Sequence, residues 1–216
     1  MRIAVDGPSG SGKSTISKAL AKEFKLNYLD TGAMYRAVTA WLLKGKDGLS
    51  EGWLINFTKT KLRIETDPEN FRIWIDENDV TEEIRTQRIT DWVSQVSAEP
   101  LIREWMVDLQ RTIMNQSSGI VMEGRDIGTV VMPDADIKIF IEADIEKRTS
   151  RRALELSQNS HTTKESLKSR DKMDSTRKVS PLIKAKDAVL IDTSELSISE
   201  SIAKAREIVN RIVKND

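Results

Sequence analysis

The residues best suited to chemistry stand near the start of the chain. Gly7-Pro8-Ser9-Gly10-Ser11-Gly12-Lys13-Ser14-Thr15 carries the spacing Gly-x-x-x-x-Gly-Lys-Ser. A loop of this kind turns backbone N–H groups inward around a phosphate, and the positive end of the following helix adds to the attraction. Lys13 reaches toward the β and γ phosphates of a nucleoside triphosphate, and the Ser14 hydroxyl suits Mg²⁺. An Asn-Lys-x-Asp segment for reading guanine is absent. The stretch Ile120-Val121-Met122-Glu123, followed by Gly124-Arg125-Asp126, matches only part of the strand that ends in Asp-Glu in motor ATPases. Glu123 suits either a metal-bound water or a cap for the turn after its strand.

A second set of groups calls for a second anion. Arg36, Arg103, Arg125, Arg170 and Arg177 each stand beside small polar or acidic residues in loops or at helix starts, where a guanidinium can grip phosphate with two N–H groups. Arg148, Arg151 and Arg152 share one helical face at i, i+3 and i+4. With Glu142, Asp144 and Glu146 nearby, they suit either a clamp on the triphosphate or a solvated salt-bridge face.

These groups need a frame. Short apolar runs at 3–6, 28–30, 120–123, 137–141 and 189–192 alternate with helical stretches, the pattern of a parallel sheet covered by helices on both faces. Each run reads as a strand buried on both sides. Gly7, Asp30, Glu123 and Asp126 then fall at strand carboxyl ends, where open α/β sheets bind ligands. Helix is expected over 14–24, and 30–36 reads as a strand-end turn leading into a second helix. Residues 61–65 and 71–76 alternate with period two around Asp67-Pro68-Glu69-Asn70, a β-hairpin inside an insert over about 44–85. The polar stretch 151–178 reads as a mobile, basic lid. The core is assigned to about 1–43, 86–150 and 179–216, all within one domain.

Composition narrows the class. The 216 residues hold 34 Lys and Arg against 34 Asp and Glu, so overall charge argues for no nucleic-acid or membrane partner. No apolar run approaches the roughly 20 residues of a membrane span. Cys is absent and the glycine loop follows the first strand at once, so the expected setting is the cytoplasm. His161, the single histidine, falls in the polar lid and reads as a surface residue. Trp41, Trp53, Trp74, Trp92 and Trp105 are spaced for core packing rather than for stacking on nucleic acid.

Residues 7–15, Tyr28-Leu29-Asp30-Thr31-Gly32-Ala33-Met34-Tyr35-Arg36, Asp79-Val80-Thr81-Glu82-Glu83-Ile84-Arg85, the run from Glu123-Gly124-Arg125-Asp126 to Ala135, and Arg170-Asp171-Lys172-Met173-Asp174-Ser175-Thr176-Arg177 closely resemble the bacterial cytidylate kinases. The likeness runs in order over nearly the whole chain. It implies a P-loop fold with a five-stranded parallel core, an acceptor-binding insert and a lid. The implied activity is ATP- and Mg²⁺-dependent phosphorylation of CMP and dCMP; a monomer is expected.

The same resemblance implies the site map. ATP would lie on Gly7 to Thr15 and Arg148, with Lys13, Arg125 and Arg177 catalytic. Arg36 and Arg125 would hold the acceptor phosphate. Asp126, Ser94 and Arg103 would read cytosine, Arg170 and Asp174 would meet the ribose, and Arg177 would lie at the transferring phosphates. Asp30 and Thr31 complete the acceptor set. Thr31 stands where the family usually has Ser, and Lys172-Met173 where Asp-Arg is more common.

Overall fold

The computed structural model describes residues 1–44, 60–156 and 160–214. Its main sheet has five parallel strands: β1 (Arg2–Asp6), β2 (Asn27–Asp30), β6 (Ile120–Gly124), β7 (Ile137–Glu142) and β8 (Val189–Asp192), ordered β2-β6-β1-β7-β8. Consecutive strand residues face opposite sides of a sheet, so covering both sides buries a strand along its whole length. This holds for β6, buried at all five residues, and for β1 beyond Arg2. It does not hold for β8. Val189 and Leu190 are exposed there, because β8 is the sheet edge and pairs only with β7.

Seven helices accompany the sheet among the described residues: α1 (Lys13–Glu23), α2 (Thr31–Lys44), α3 (Gln87–Val96), α4 (Pro100–Gln116), α5 (Ile145–Leu156), α6 (Ser160–Thr176) and α7 (Ile198–Val213). Helices α1 and α7 pack together and onto the strands, α2 packs on β6 and α3, and α5 packs on α6. The turn expected at 30–36 is absent. Asp30 accepts the Ala33 N–H at 2.9 Å and so caps α2, which starts directly at Thr31.

The hairpin at 61–76 forms as β3 (Leu62–Glu65) and β4 (Arg72–Ile75), extended to three antiparallel strands by β5 (Asn78–Asp79). Residues 45–59 of the expected insert, Trp53 among them, lie outside the described residues. The lid expected as a mobile stretch is largely the helix α6, seated on α5 through buried side chains that include Thr163 and Leu167. His161 is exposed on it. Among the described tryptophans none is fully buried: Trp41 and Trp105 are half-buried and pack against the core, Trp92 is 47% exposed, and Trp74 lies under the Arg63 guanidinium at 3.6 Å. The core is instead aliphatic, built on Ile3, Val5, Leu20, Leu29, Val121 and Ile139.

Candidate functional site

Strand β1 lies between β6 and β7, the point at which connections leave in opposite directions. Its carboxyl end continues into the glycine loop. Gly7 has φ 148° and Gly12 φ 94°. A Cβ on Gly7 would collide with the Ile141 carbonyl of β7, so only glycine fits at the strand exit. Ser9 to Thr15 line a cavity of 770 Å³; Gly7 and Pro8 shape the loop from outside it. Lys13 is buried and donates to the Pro8 carbonyl at 2.6 Å. Burial and the nearby Arg125 hold its ammonium pKa down, an electrostatic strain that a bound polyphosphate would relieve.

On the β6 side, Ser14 Oγ donates to Glu123 Oε2 at 3.0 Å and the Tyr28 phenol donates to Glu123 Oε1. Burial, then Asp30, pushes the Glu123 carboxyl up. A divalent cation fits this corner, since a serine hydroxyl and a carboxylate meet beside the cradle. Among the described residues no group of three acidic, His or Cys side chains could hold a metal by itself. A cation there would therefore lean on ligand phosphates and water.

The second cavity, 60 Å³, is lined by Thr31, Tyr35, Ser94, Arg103, Asp126, Asp174 and Arg177 among others. It is built on the turn after β6. Val130 N–H and Val131 N–H both donate to the Asp126 carbonyl, at 2.9 and 3.2 Å, and Met132 N–H donates to Ile127 at 2.7 Å. This wide, π-type turn sets Asp126 facing α4. Arg103 is 2% exposed; it pairs with Asp126 through Nη2, donates to the Ser97 carbonyl at 3.0 Å, and lies over the Tyr35 ring at 5.2 Å. Arg125 Nε donates to Asp174 at 2.8 Å. Burial opposes ionisation of Asp174, but Arg125 and Arg177 hold its pKa below the ordinary value.

Both cavities share Gly32, Arg36, Arg125 and Arg170, so three guanidiniums stand where they join. Arg36 is fixed by donating to the Ile84 carbonyl at 3.0 Å and to Thr90 Oγ1 at 2.9 Å. Burial first, and then Arg170, push its pKa down. A guanidinium does not give up its proton, so a buried cation beside further cations favours an anionic partner.

Not every expected residue falls where the sequence suggested. Arg148 does not line the 770 Å³ cavity; it is buried and donates to the carbonyls of Ala143 and Ser9 and to Asp171 at 2.6 Å, bolting the glycine loop to α6. Of the two alternatives for the arginines of α5, the solvated face fails for Arg148. Arg151 and Arg152 line the cavity, and Arg151 also holds Thr193. Arg177 lies in the small cavity, 3.5 Å from Asp126, rather than at the cradle. Asp30 lines the large cavity 4.0 Å from Arg85, while Thr31 donates to the Glu123 carbonyl at 2.7 Å.

Three features were missed. Arg85, inside a motif already noted, reaches the large cavity. Leu154, Leu196 and Ile198 give that cavity an apolar wall. Asp6 accepts the N–H groups of Ile127 and Gly128 at 2.8 and 2.7 Å, tying the end of β1 to the Asp126 turn. The buried polar end of an otherwise apolar strand was the available signal for Asp6.

The strand order, the glycine cradle and the arginine junction define a P-loop kinase. A shikimate kinase structure from Bacteroides thetaiotaomicron shares the fold, with TM-score 0.51 and 11% identity, covering 97% of this chain and 98% of that one. The family model described as Cytidylate kinase matches residues 3–211. A cytidylate kinase of Carboxydothermus hydrogenoformans is 46% identical, covering 100% of this chain and 99% of the relative. One from Streptomyces avermitilis is 48% identical over 93% of this chain and 88% of the relative. The bifunctional pantoate ligase/cytidylate kinase of Prochlorococcus marinus is 44% identical, covering 96% of this chain and 42% of that protein. The chain belongs to the cytidylate kinase family of phosphotransferases.

Proposed function

We propose that the protein transfers the γ-phosphoryl group of ATP to CMP and dCMP, giving ADP and the diphosphates, with Mg²⁺ accompanying the donor. The observation that carries this reading is the junction: a phosphate cradle and a small polar pocket meet at Arg36, Arg125 and Arg170. Donor and acceptor phosphates brought to that junction would face each other.

The chemistry asks for alignment more than for proton transfer. A phosphate monoester is largely a dianion at neutral pH, its second pKa being about 6, so the nucleophile needs no general base. Arg125 engages Asp174 through Nε and the Gly124 carbonyl through Nη1, which leaves its Nη2 for an acceptor oxygen. Arg36 and Arg170 supply further charge from α2 and α6. Lys13 neutralises the β and γ oxygens as the bond to the bridging oxygen loosens. Mg²⁺, held at Ser14 with Glu123 behind it, would withdraw charge from the phosphates. Helix α6 excludes water, a competing acceptor.

Base selection falls to the small pocket. Cytosine presents an N4 amino donor where uracil presents an oxygen, so the Asp126 carboxylate and Ser94 hydroxyl favour cytosine. Arg103, a donor only, suits O2 and N3. Arg177 sits beside Asp126 and Asp174 in this structure and serves the transferring phosphates on closure of α6.

ADP formation measured with ATP and Mg²⁺ over CMP, dCMP, UMP, AMP, GMP and shikimate tests the reading. CMP and dCMP should be the efficient acceptors. Turnover of AMP or shikimate at the CMP rate, or phosphate release independent of any acceptor, would overturn it.

A further inference from the structure

We propose that Tyr28 is a positioning residue for the metal side of the phosphate site: its phenol holds the Glu123 carboxylate so that the second oxygen stays aimed at the Ser14 hydroxyl. The proposal rests on the reading that Mg²⁺ accompanies the triphosphate.

Glu123 is 3% exposed and both its oxygens are used by different donors, Oε1 by the Tyr28 phenol and Oε2 by Ser14 Oγ at 3.0 Å. With one oxygen fixed from β2, rotation of the carboxylate would break a buried hydrogen bond. The Ser14 proton is thereby directed to Glu123, which leaves the hydroxyl lone pairs for a cation and makes the oxygen a better ligand. Partners one step behind a ligand commonly orient it in this way.

Tyr28 is itself held. It is 0% exposed, its ring meets Phe71 edge-on at 5.5 Å and 73°, and Lys18 Nζ lies 5.5 Å from the ring centre. Its backbone N–H donates to the Thr66 carbonyl at 2.7 Å. Thr66 and Phe71 flank the hairpin turn between β3 and β4. The apolar contacts need only a phenyl ring. The hydroxyl is an addition that the packing does not call for, and the partner it finds is the carboxylate behind the cradle.

The experiment is calorimetric titration of ADP into the wild type and Tyr28→Phe, with and without Mg²⁺. The variant keeps the ring and loses the donor. Metal-free ADP affinity should be unchanged, while the gain on adding Mg²⁺ should shrink by about tenfold. An undiminished gain in the variant overturns the role of Tyr28 alone. An equal loss with and without Mg²⁺ overturns it too, marking the hydroxyl as merely structural. A wild type whose ADP affinity ignores Mg²⁺ overturns the metal reading and the proposal with it. Should Tyr28→Phe fold poorly, Glu123→Gln and the double variant decide at a temperature where both are folded. The proposal expects the double variant to lose no more of the Mg²⁺ gain than Glu123→Gln alone, and a further loss in the double variant contradicts it.

Discussion

Replacing Asp126 by Asn probes the buried ion pair on which the acceptor pocket is built. The side chains of Arg103 and Asp126 are 2% and 6% exposed, and Arg177 stands 3.5 Å from the other Asp126 oxygen. Removing one member of such a pair leaves a buried cation uncompensated, at a cost of about 3–5 kcal/mol. Asn keeps a carbonyl acceptor of the same shape, so the lower end applies, about 3 kcal/mol. For a chain of this length each kcal/mol lowers the melting temperature by about 2–4 °C, giving a drop of roughly 6–12 °C. Thermal and guanidinium unfolding without nucleotide read it directly. Adding Arg103→Met to the Asn variant should recover much of the loss, because an apolar replacement removes the stranded charge. A drop below about 2 °C, or a double variant less stable than the single, would mean that no uncompensated charge is left at Arg103.

Three further outcomes follow from the same geometry. Lys13→Ala should lower transfer by about a thousandfold or more in single-turnover phosphoryl transfer, while calorimetry finds CMP binding nearly unchanged. Gly124→Ala forces a Cβ to 2.6 Å from Thr31 Oγ1 and 2.7 Å from Ile127 Cδ1; denaturant unfolding should show a loss of about 1–3 kcal/mol, with a raised KM for CMP. Asp6, pushed up to about 6 by burial, binds its proton more tightly folded than unfolded. Its contribution is therefore full below about pH 4 and lost as pH rises through about 6, a fall of about 3 kcal/mol. The wild type minus Asp6→Asn stability difference, measured from pH 4 to 7, should decline by that amount.

The parallel sheet was legible because apolar runs covered on both faces leave an unbroken trace, as at Ile120 to Met122. The edge position of β8 was not, since Val189 and Leu190 are as apolar as core residues and only topology exposes them. Asp30-Thr31-Gly32 read as a turn because its small and polar residues favour one, whereas the Asp30 carboxylate uses them to start a helix. The polar lid segment hid a helix whose burial depends on α5 rather than on a strong apolar stripe of its own. The glycine cradle announces itself locally. Asp6 and Ile127, 121 residues apart, and Tyr28 and Glu123, 95 apart, meet only through sheet register. Neighbouring residues could not reveal those pairs.

Cytosine reading by Asp126, Ser94 and Arg103, as proposed, is measured by the ratio of kcat/KM for CMP over UMP. A site that sets buried donors and acceptors against the wrong base edge should discriminate by about a hundredfold or more. Asp126→Asn should narrow the gap, since an amide can turn a donor toward the uracil oxygen. A wild-type ratio near one, or a ratio unmoved by Asp126→Asn, would mean that this pocket does not read the base.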